Sequence, residues 1–280
     1  MRNDPYMLAA RLQATEGALA LLDEVERDAA DFFARGDGRS RRASAALRRS
    51  RARLRFAHGD ALMDGGRFDE ALRSYAKHEA VFRAALETNA GDLRAIHGLG
   101  VVLGQTSRAR RRASRGIDAG LEPIEEAIEF FELAIELQPD DVEAASNLAQ
   151  SLILSLSALE MSGRGDEQMD RVHRAIGIIE PIASSGAASS IDRLRLAEAL
   201  LESVRLDPAG TSPTDRLVRL DRARSEIDLV LRADPSTVLA RHLSTEVELR
   251  SADALEDLGR SNDALARATA GRLACEALVA

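Results

Sequence analysis

Two arginine-rich segments carry the densest charge in the sequence. The first covers residues 39–55, and the second reads RARRRASR. The arginines of the second segment are Arg108, Arg110, Arg111, Arg112 and Arg115. Guanidinium groups bind phosphate and carboxylate oxygens, so one interpretation is an anionic partner: RNA, a phosphorylated protein or an acidic peptide. Because the second segment lacks helical periodicity and has few acids nearby, we predict an electrostatic loop that contacts a partner.

The first arginine-rich segment has a local alternative. The stretch before it is acidic, with Glu16, Asp23, Glu24, Glu26, Asp28 and Asp31. Antiparallel packing of the two helices would pair these acids with the arginines, although exposed pairs are worth under about 1 kcal/mol each. We favour this intramolecular interpretation. Both segments also contain RRAS, which ends at Ser44 and Ser114 and is typical of basophilic kinase substrates. Chance recurrence in a chain rich in Arg, Ala and Ser is the favoured explanation of that motif.

The histidines, the cysteine and the carboxylates show no catalytic or metal-binding pattern. The five histidines are His58, His78, His97, His173 and His242. No HExxH motif, Cys/His pair, nucleophile elbow or phosphate-binding glycine loop is present in the sequence. His58 and His78 are expected to face each other within one helix pair, where ordinary packing is favoured over a metal-binding or pH-sensing role. We therefore expect a protein that is not an enzyme and has no metal or cofactor.

Composition restricts the fold class and the partners. The chain has 280 residues, of which 45% are hydrophobic and 3% aromatic, and Ala, Leu, Arg and Glu dominate. These are good helix formers, and no stretch alternates as a strand does, so we predict an all-α fold. The net charge of −8 argues against nucleic acid as a general partner. A single cysteine and the lack of a long apolar segment indicate a cytoplasmic protein that does not enter the membrane.

Helical periodicity predicts about eleven helices joined by short turns. The first, over residues 4–35, forms an N-terminal capping segment (1–38), and residues 39–280 form helix pairs. GDALMDGGRFDEAL, residues 59–72, returns as ADALEDLGRSNDAL, residues 252–265. Gly and Ala at the shared positions let two antiparallel helices touch, while a large residue four positions later fills the groove beside that contact. Such pairs read Ala71/Tyr75, Ala127/Phe131 and Ala223/Ile227, and glycines 66 and 259 would turn the chain between helices.

The helix pairs resemble the tetratricopeptide repeat. GDALMDGGRFDEALRSY and EEAIEFFELAIELQPDD match the first-helix, turn and second-helix signatures of that family. The resemblance covers roughly residues 43–280. It implies a right-handed superhelix of about five antiparallel helix pairs, which is a single continuous solenoid with a concave groove. The lengthened units are similar to repeat arrays in bacterial signalling proteins.

The resemblance also implies which residues line the groove. The inner-face positions of the first helices carry Arg53, Phe56, Asp60, Met63, Arg94, His97, Val101, Glu143, Asn147, Gln150, Arg195 and Glu198. Some family members clamp a C-terminal carboxylate of heat-shock chaperones with five such residues. Asn147 and Arg195 match two of those roles, whereas His97, Val101 and Ile191 stand at the other three positions and do not match. A mixed-charge, partly apolar groove therefore predicts a peptide or helix ligand.

We predict a non-catalytic scaffold or adaptor that binds another protein through a peptide or helix in the groove. The alternative is a regulatory repeat protein that binds nucleic acid or another anionic ligand through the Arg-rich segments. Salt dependence separates the two, because phosphate contacts weaken steeply with added salt. A hydrolase, the third class considered, would require a deep pocket with strongly shifted carboxylate pKa values.

Overall fold

The computed structural model describes residues 5–113, 119–207 and 210–279, and all regular structure within these ranges is α-helical. The all-α prediction is therefore confirmed. The twelve helices of the described ranges are α1 Pro5–Asp28, α2 Ala30–Ala34, α3 Gly38–Asp64, α4 Phe68–Thr88, α5 Leu93–Arg112, α6 Leu121–Leu137, α7 Val142–Met161, α8 Asp166–Ala183, α9 Ser190–Leu206, α10 Pro213–Ala233, α11 Val238–Asp257 and α12 Ser261–Val279. No described helix is both long enough and apolar enough to cross a bilayer.

Contacts divide the chain into two compact units, Met1–Pro139 and Asp140–Ala280. In the first unit α1 packs on α3, and the pairs are α3/α4 and α5/α6. In the second unit the pairs are α7/α8, α9/α10 and α11/α12. Short turns join the two helices of the α3/α4, α7/α8 and α11/α12 pairs, so these pairs are antiparallel, as predicted. The first helices of the second unit also contact one another, α7 with α9 and α9 with α11.

Polar side chains fix where several helices begin. The Asp92 carboxylate accepts hydrogen bonds from the first backbone amides of α5, and Asp141 accepts one from Ala144 of α7. Ser189 and Asp192 form a reciprocal capping box at the start of α9. The repeated phrase turns on Gly66 and Gly259, whose φ values of 71° and 69° are costly for any residue with a Cβ atom. The predicted turning role of both glycines is confirmed.

Small residues let large rings enter the helix pairs. A Cβ atom on Gly59 would lie far inside the van der Waals contact distance of the Tyr75 ring, and one on Gly100 would lie 2.5 Å from Phe131 Cζ. The predicted small/large pairs are all buried: Ala71/Tyr75, Ala127/Phe131 and Ala223/Ile227. The sequence interpretation of these positions as packing residues is confirmed. Each contact lies within a single helix pair, so each pair is stabilised locally.

Two predicted boundaries were wrong. The helix predicted over 4–35 breaks at Ala29, which has φ −98° and ψ 13°, and no glycine or proline marks that break. The segment predicted as a loop at 104–120 is helical as far as Arg112. Its inward positions are small or polar, namely Thr106, Ser107 and Ala109, so the apolar period fades although the helix packs normally.

Candidate functional site

Three first helices of the second unit repeat one spacing of side chains. The second, sixth and ninth residues of each helix lie on one side, because positions i, i+4 and i+7 share a helix face. We call this surface the α7–α9–α11 face. It consists of Glu143, Asn147 and Gln150 on α7, Ile191, Arg195 and Glu198 on α9, and Leu239, Leu243 and Glu246 on α11. We call the equivalent positions of the three helices a row; α9 contacts both α7 and α11, and hydrogen bonds join its positions to those of α7.

Arg195 lies at the centre of a hydrogen-bond network between α7 and α9. Its guanidinium donates to Asn147 Oδ1 at 2.9 Å, to Gln150 Oε1 at 3.3 Å and to the Ser146 hydroxyl. Gln150 Nε2 donates in turn to Glu198 at 3.4 Å. Four of the five groove residues predicted in this unit are therefore brought together: Asn147, Gln150, Arg195 and Glu198.

Burial and neighbouring acids act in opposite directions on Arg195. Burial lowers its pKa, while the carboxylates of Asp192, Glu198 and Glu143 raise it, and the net shift is downward. The Ser146 hydroxyl accepts from Arg195 and donates to Asp192, which also caps α9. Because its donors are already engaged inside the protein, Arg195 holds the side-chain amides in place and is not set up to capture a ligand carboxylate.

Sequence reasoning missed Ser146 and Asp192, which complete the network. Ser146 is the fifth residue of α7, and the fifth residue of α9 is the buried Leu194. A serine at a position that is apolar in the next first helix was therefore the available sequence signal for a buried polar contact. Asp192 was hidden because an acid three residues after Ser189 already has an explanation as a helix cap.

Exposed apolar side chains border the network at the starts of the same helices. Ile191 of α9 is 60% exposed and Leu239 of α11 is 47% exposed. Val142 and Val238, the first residues of α7 and α11, are also exposed. Apolar side chains beside preorganised polar groups are typical of peptide-binding surfaces.

Several predicted groove residues of the first unit contribute to packing instead. The Phe56 ring lies 5.9 Å from the Tyr75 ring, and Asp60 accepts a 2.7 Å hydrogen bond from the Tyr75 hydroxyl. Burial raises the Asp60 pKa despite that bond. Met63 is buried, with 8% of its surface exposed. The α3 positions that the tetratricopeptide resemblance assigns to the groove here pack α3 against α4.

The remaining groove residues of the first unit do not form a comparable network. Arg53 and Arg94 are exposed, and Val101 is partly buried. His97 lies edge-on to the Phe131 ring, with 6.3 Å between the ring centroids.

The predicted electrostatic loop is corrected by the structure, because four of its arginines lie on α5. Arg110 pairs with Glu122 at 3.1 Å, and Arg108 donates to Gln105 at 3.3 Å. The Arg111 side chain packs over Gly120, where a Cβ atom would meet it at 2.5 Å. Arg112 is exposed. Arg115 and Ser114 lie outside the described residues, whereas Ser44 is half-buried in α3.

One arginine of the first arginine-rich segment, Arg51, is neutralised by the acidic helix, as predicted for this segment. Arg51 of α3 forms ion pairs with Asp23 at 2.8 Å and with Glu26 at 2.6 Å. Arg11 of α1 pairs with Asp64 of α3 at 2.8 Å. These contacts join an acidic helix to a basic one and leave fewer arginines available to an anionic partner.

The two histidines predicted to face each other do not. His58 Nδ1 lies 3.0 Å from the Thr15 hydroxyl of α1, while His78 is buried between Phe56 and Phe82. Each ring therefore has its own surroundings. Among the described residues, no group of three or more His, Cys, Asp or Glu side chains could hold a metal ion.

A small cavity of about 220 Å³ lies between α10, α11 and α12. Two carboxylates line it, Asp221 and Asp263, together with Arg260 and Arg267. Asp221 pairs with Arg224 at 2.5 Å and Asp263 with Arg260 at 2.7 Å, so both acids are already engaged in ion pairs. The cavity therefore offers no carboxylate arranged for acid–base chemistry.

The chain is similar in fold to a solved helical protein. No protein-family model matches it, and no curated protein is similar to it in sequence. It resembles the crystal structure of BtubC (BKLC) from P. vanneervenii, with a TM-score of 0.63 at 12% identity, over 97% of this chain and 92% of that chain. At this identity the likeness shows the fold alone: an all-α chain of helices packed in successive pairs.

Proposed function

We propose that the protein is a non-catalytic interaction module of the tetratricopeptide type, which binds a segment of a partner protein on the α7–α9–α11 face. One observation carries the proposal: the Arg195 network holds Asn147 and Gln150 in place near Ile191, an exposed side chain one turn before Arg195 on α9. Rigid polar groups beside apolar contact area reduce the ordering cost of binding. The proposal includes a cytoplasmic location, which a single cysteine supports.

The face lends itself to a matched test at Ile191. Random peptides displayed on phage are selected on the full-length chain, and the binding of the selected peptides is then measured by fluorescence anisotropy. Ile191→Ser removes an exposed apolar side chain from the face. Val218→Ser removes one of equal exposure from the second helix α10, where Val218 is 63% exposed. We expect Ile191→Ser to weaken binding by roughly fivefold or more and Val218→Ser to leave it unchanged.

The opposite pattern would contradict the proposal. If Val218→Ser weakens the selected peptides as much as Ile191→Ser does, the ligand binds elsewhere on the unit. Both side chains are exposed, so neither substitution should unfold the chain. Circular dichroism of both variants checks that helicity is retained.

A second candidate function rests on Arg111. Burial and the adjacent Arg108 and Arg112 lower its pKa, and its buried Nε has no hydrogen-bond partner. An anionic ligand would relieve both effects, as the nucleic-acid alternative requires. Replacing Arg110, Arg111 and Arg112 together by Glu should then abolish binding of a single-stranded RNA oligonucleotide, and binding by the unaltered chain should fall steeply with salt. Equal weak binding by both chains would eliminate this candidate.

A further inference from the structure

We infer that the α7–α9–α11 face selects an extended, cationic segment in which an apolar side chain lies three residues from a lysine or arginine. This inference rests on the proposed function and specifies the chemistry of its ligand. It follows from the order of the three rows, from the charge they carry and from the hydrogen-bonding groups left between them.

The rows differ in chemistry along the helices. The second-residue row carries Glu143, Ile191 and Leu239, the sixth-residue row carries Asn147, Arg195 and the buried Leu243, and the ninth-residue row carries Gln150, Glu198 and Glu246. In that last row α9 and α11 place carboxylates at equivalent positions, Glu198 and Glu246. On α9 and α11 a ligand therefore meets an exposed apolar side chain at one end of the face and a carboxylate at the other, and the Arg195–Asn147 pair lies between the two ends on α9.

The charge of the face favours a cationic ligand. Its nine positions contain three carboxylates and one guanidinium, so the formal charge is −2. The single cation, Arg195, already donates to Ser146, Asn147 and Gln150. A ligand carboxylate would have to displace these bonds and approach Glu198, whereas a ligand ammonium or guanidinium gains Glu198 and Glu246 as neighbours.

The side-chain amide of Asn147 favours a ligand with an extended backbone over a helical ligand. Arginine only donates hydrogen bonds, so the Asn147 atom facing Arg195 is the oxygen, and the amide nitrogen points away from it. That nitrogen is a donor suited to an acceptor such as a peptide carbonyl. A helical ligand has its carbonyls engaged within the helix, while a polyproline-II segment has no internal hydrogen bonds.

The spacing of the rows sets the spacing in the ligand. On α9 and α11 the apolar second residue and the acidic ninth residue are seven positions apart, which corresponds to roughly 10 Å. In a polyproline-II segment, residues three apart point to the same side and lie about 9 Å apart. A leucine on the row of Ile191 therefore places a residue three positions away beside Glu198 or Glu246.

The test uses three synthetic peptide pools that differ in one residue type. The pools read KxxLxxK, QxxLxxQ and ExxLxxE, with uncharged random residues at x, so that either chain direction is covered. Fluorescence anisotropy measures their binding to the full-length chain. We expect the lysine pool to bind most tightly and the glutamate pool least tightly. We expect Glu198→Gln with Glu246→Gln to weaken the lysine pool by roughly three- to tenfold and so to remove its advantage over the glutamine pool.

The controls separate the ligand chemistry from the function itself. Glu180→Gln with Asp228→Asn removes two exposed carboxylates from the second helices α8 and α10 and should leave the order of the pools unchanged. Equal binding of the lysine and glutamine pools, with both still weakened by Ile191→Ser, overturns the charge selectivity and leaves the proposed function standing. If no pool binds, or if Ile191→Ser has no effect on any pool, both are overturned.

Discussion

The first helices of the two units place the same kind of predicted residue in different surroundings. On α3, Phe56 and Asp60 contact Tyr75, and Met63 is buried. On α7 and α9, the equivalent kind of position carries polar side chains that bond to one another at the surface. A position that repeats in sequence is thus packed against the second helix in one unit and carries surface polar side chains in the other.

The size of the second-helix residue explains the difference. Tyr75 is fully buried and needs both Gly59 and a partner for its hydroxyl, so α3 supplies a glycine and an aspartate. The buried residues of α8 include Val172 and Ala175, which have neither a ring nor a hydroxyl, and the polar side chains of α7 bond to α9 instead. The experiments below test this contrast from the largest expected effect to the smallest.

Truncating Tyr75 should have the largest effect. Tyr75→Ala removes a fully buried ring and should lower the free energy of unfolding of the first unit by about 3–5 kcal/mol. Tyr75→Phe removes only the hydrogen bond to Asp60 and should cost about 1 kcal/mol. Urea unfolding followed by circular dichroism measures both. Equal losses for the two variants would mean that the ring itself contributes little.

Acid should weaken the first unit through His78. Burial lowers its folded pKa to about 4 from 6.5, so the unfolded chain binds more protons between these values. Stability should therefore be complete above pH 6.5 and fall, by up to about 3 kcal/mol, as the pH drops to 4. Asp60 acts in the opposite sense, because its pKa is raised and its protonation favours the folded state.

The His78 contribution is isolated by His78→Phe, which keeps a ring between Phe56 and Phe82. Urea unfolding at several pH values should show a shallower loss of stability between pH 6.5 and 4 in this variant. An unchanged slope would assign the acid sensitivity to other groups.

Adding one methyl group at Gly59 should cost about 1–3 kcal/mol, because Gly59→Ala collides with Tyr75. Gly104→Ala is the matched control in α5, where a Cβ atom meets nothing within 4 Å. The control should stabilise the chain by up to about 1 kcal/mol, since alanine is the better helix former. Thermal unfolding of the two variants should therefore shift in opposite directions.

Breaking the surface network should have the smallest effect on stability. Arg195→Met should lower the stability of α7 and α9 by roughly 1 kcal/mol, because partly exposed bonds can be replaced by water. Hydrogen exchange in these helices should accelerate, and Arg232→Met, at an exposed position of α10, should leave it unchanged. A loss as large as that of Tyr75→Ala would show that the two units are built alike.

Most of the fold could be predicted from the sequence, because the spacing of apolar residues marks each helix and glycine and proline mark the turns between helices. The predictions for 166–183 and 213–233 match α8 and α10. The C-terminal half of α5 could not be predicted, since its buried positions, such as Ser107, are small and polar. Ser107 instead donates to the Gly120 carbonyl, which is a contact between segments and leaves no periodic signal.

The candidate site was only half predictable. The family resemblance implied Asn147, Gln150, Arg195 and Glu198, and the structure joins them in one network. It implied Phe56 and Met63 equally, but nothing in their own spacing shows that the second helix brings a ring against α3. Which surface a helix face contacts depends on residues far away in sequence, and a single sequence does not reveal such contacts.

The pairing of neighbouring helices also sets the order in which this chain can fold during synthesis. The ring contact and the hydrogen bond of Tyr75 both lie between α3 and α4, before Thr88, where α4 ends, and α1 packs on α3 from the preceding side. Interfaces between neighbours in sequence close short loops, which is fast and costs little chain entropy. As the ribosome releases the chain from its N-terminus, this first pair can bury Tyr75 while the second unit is still being translated.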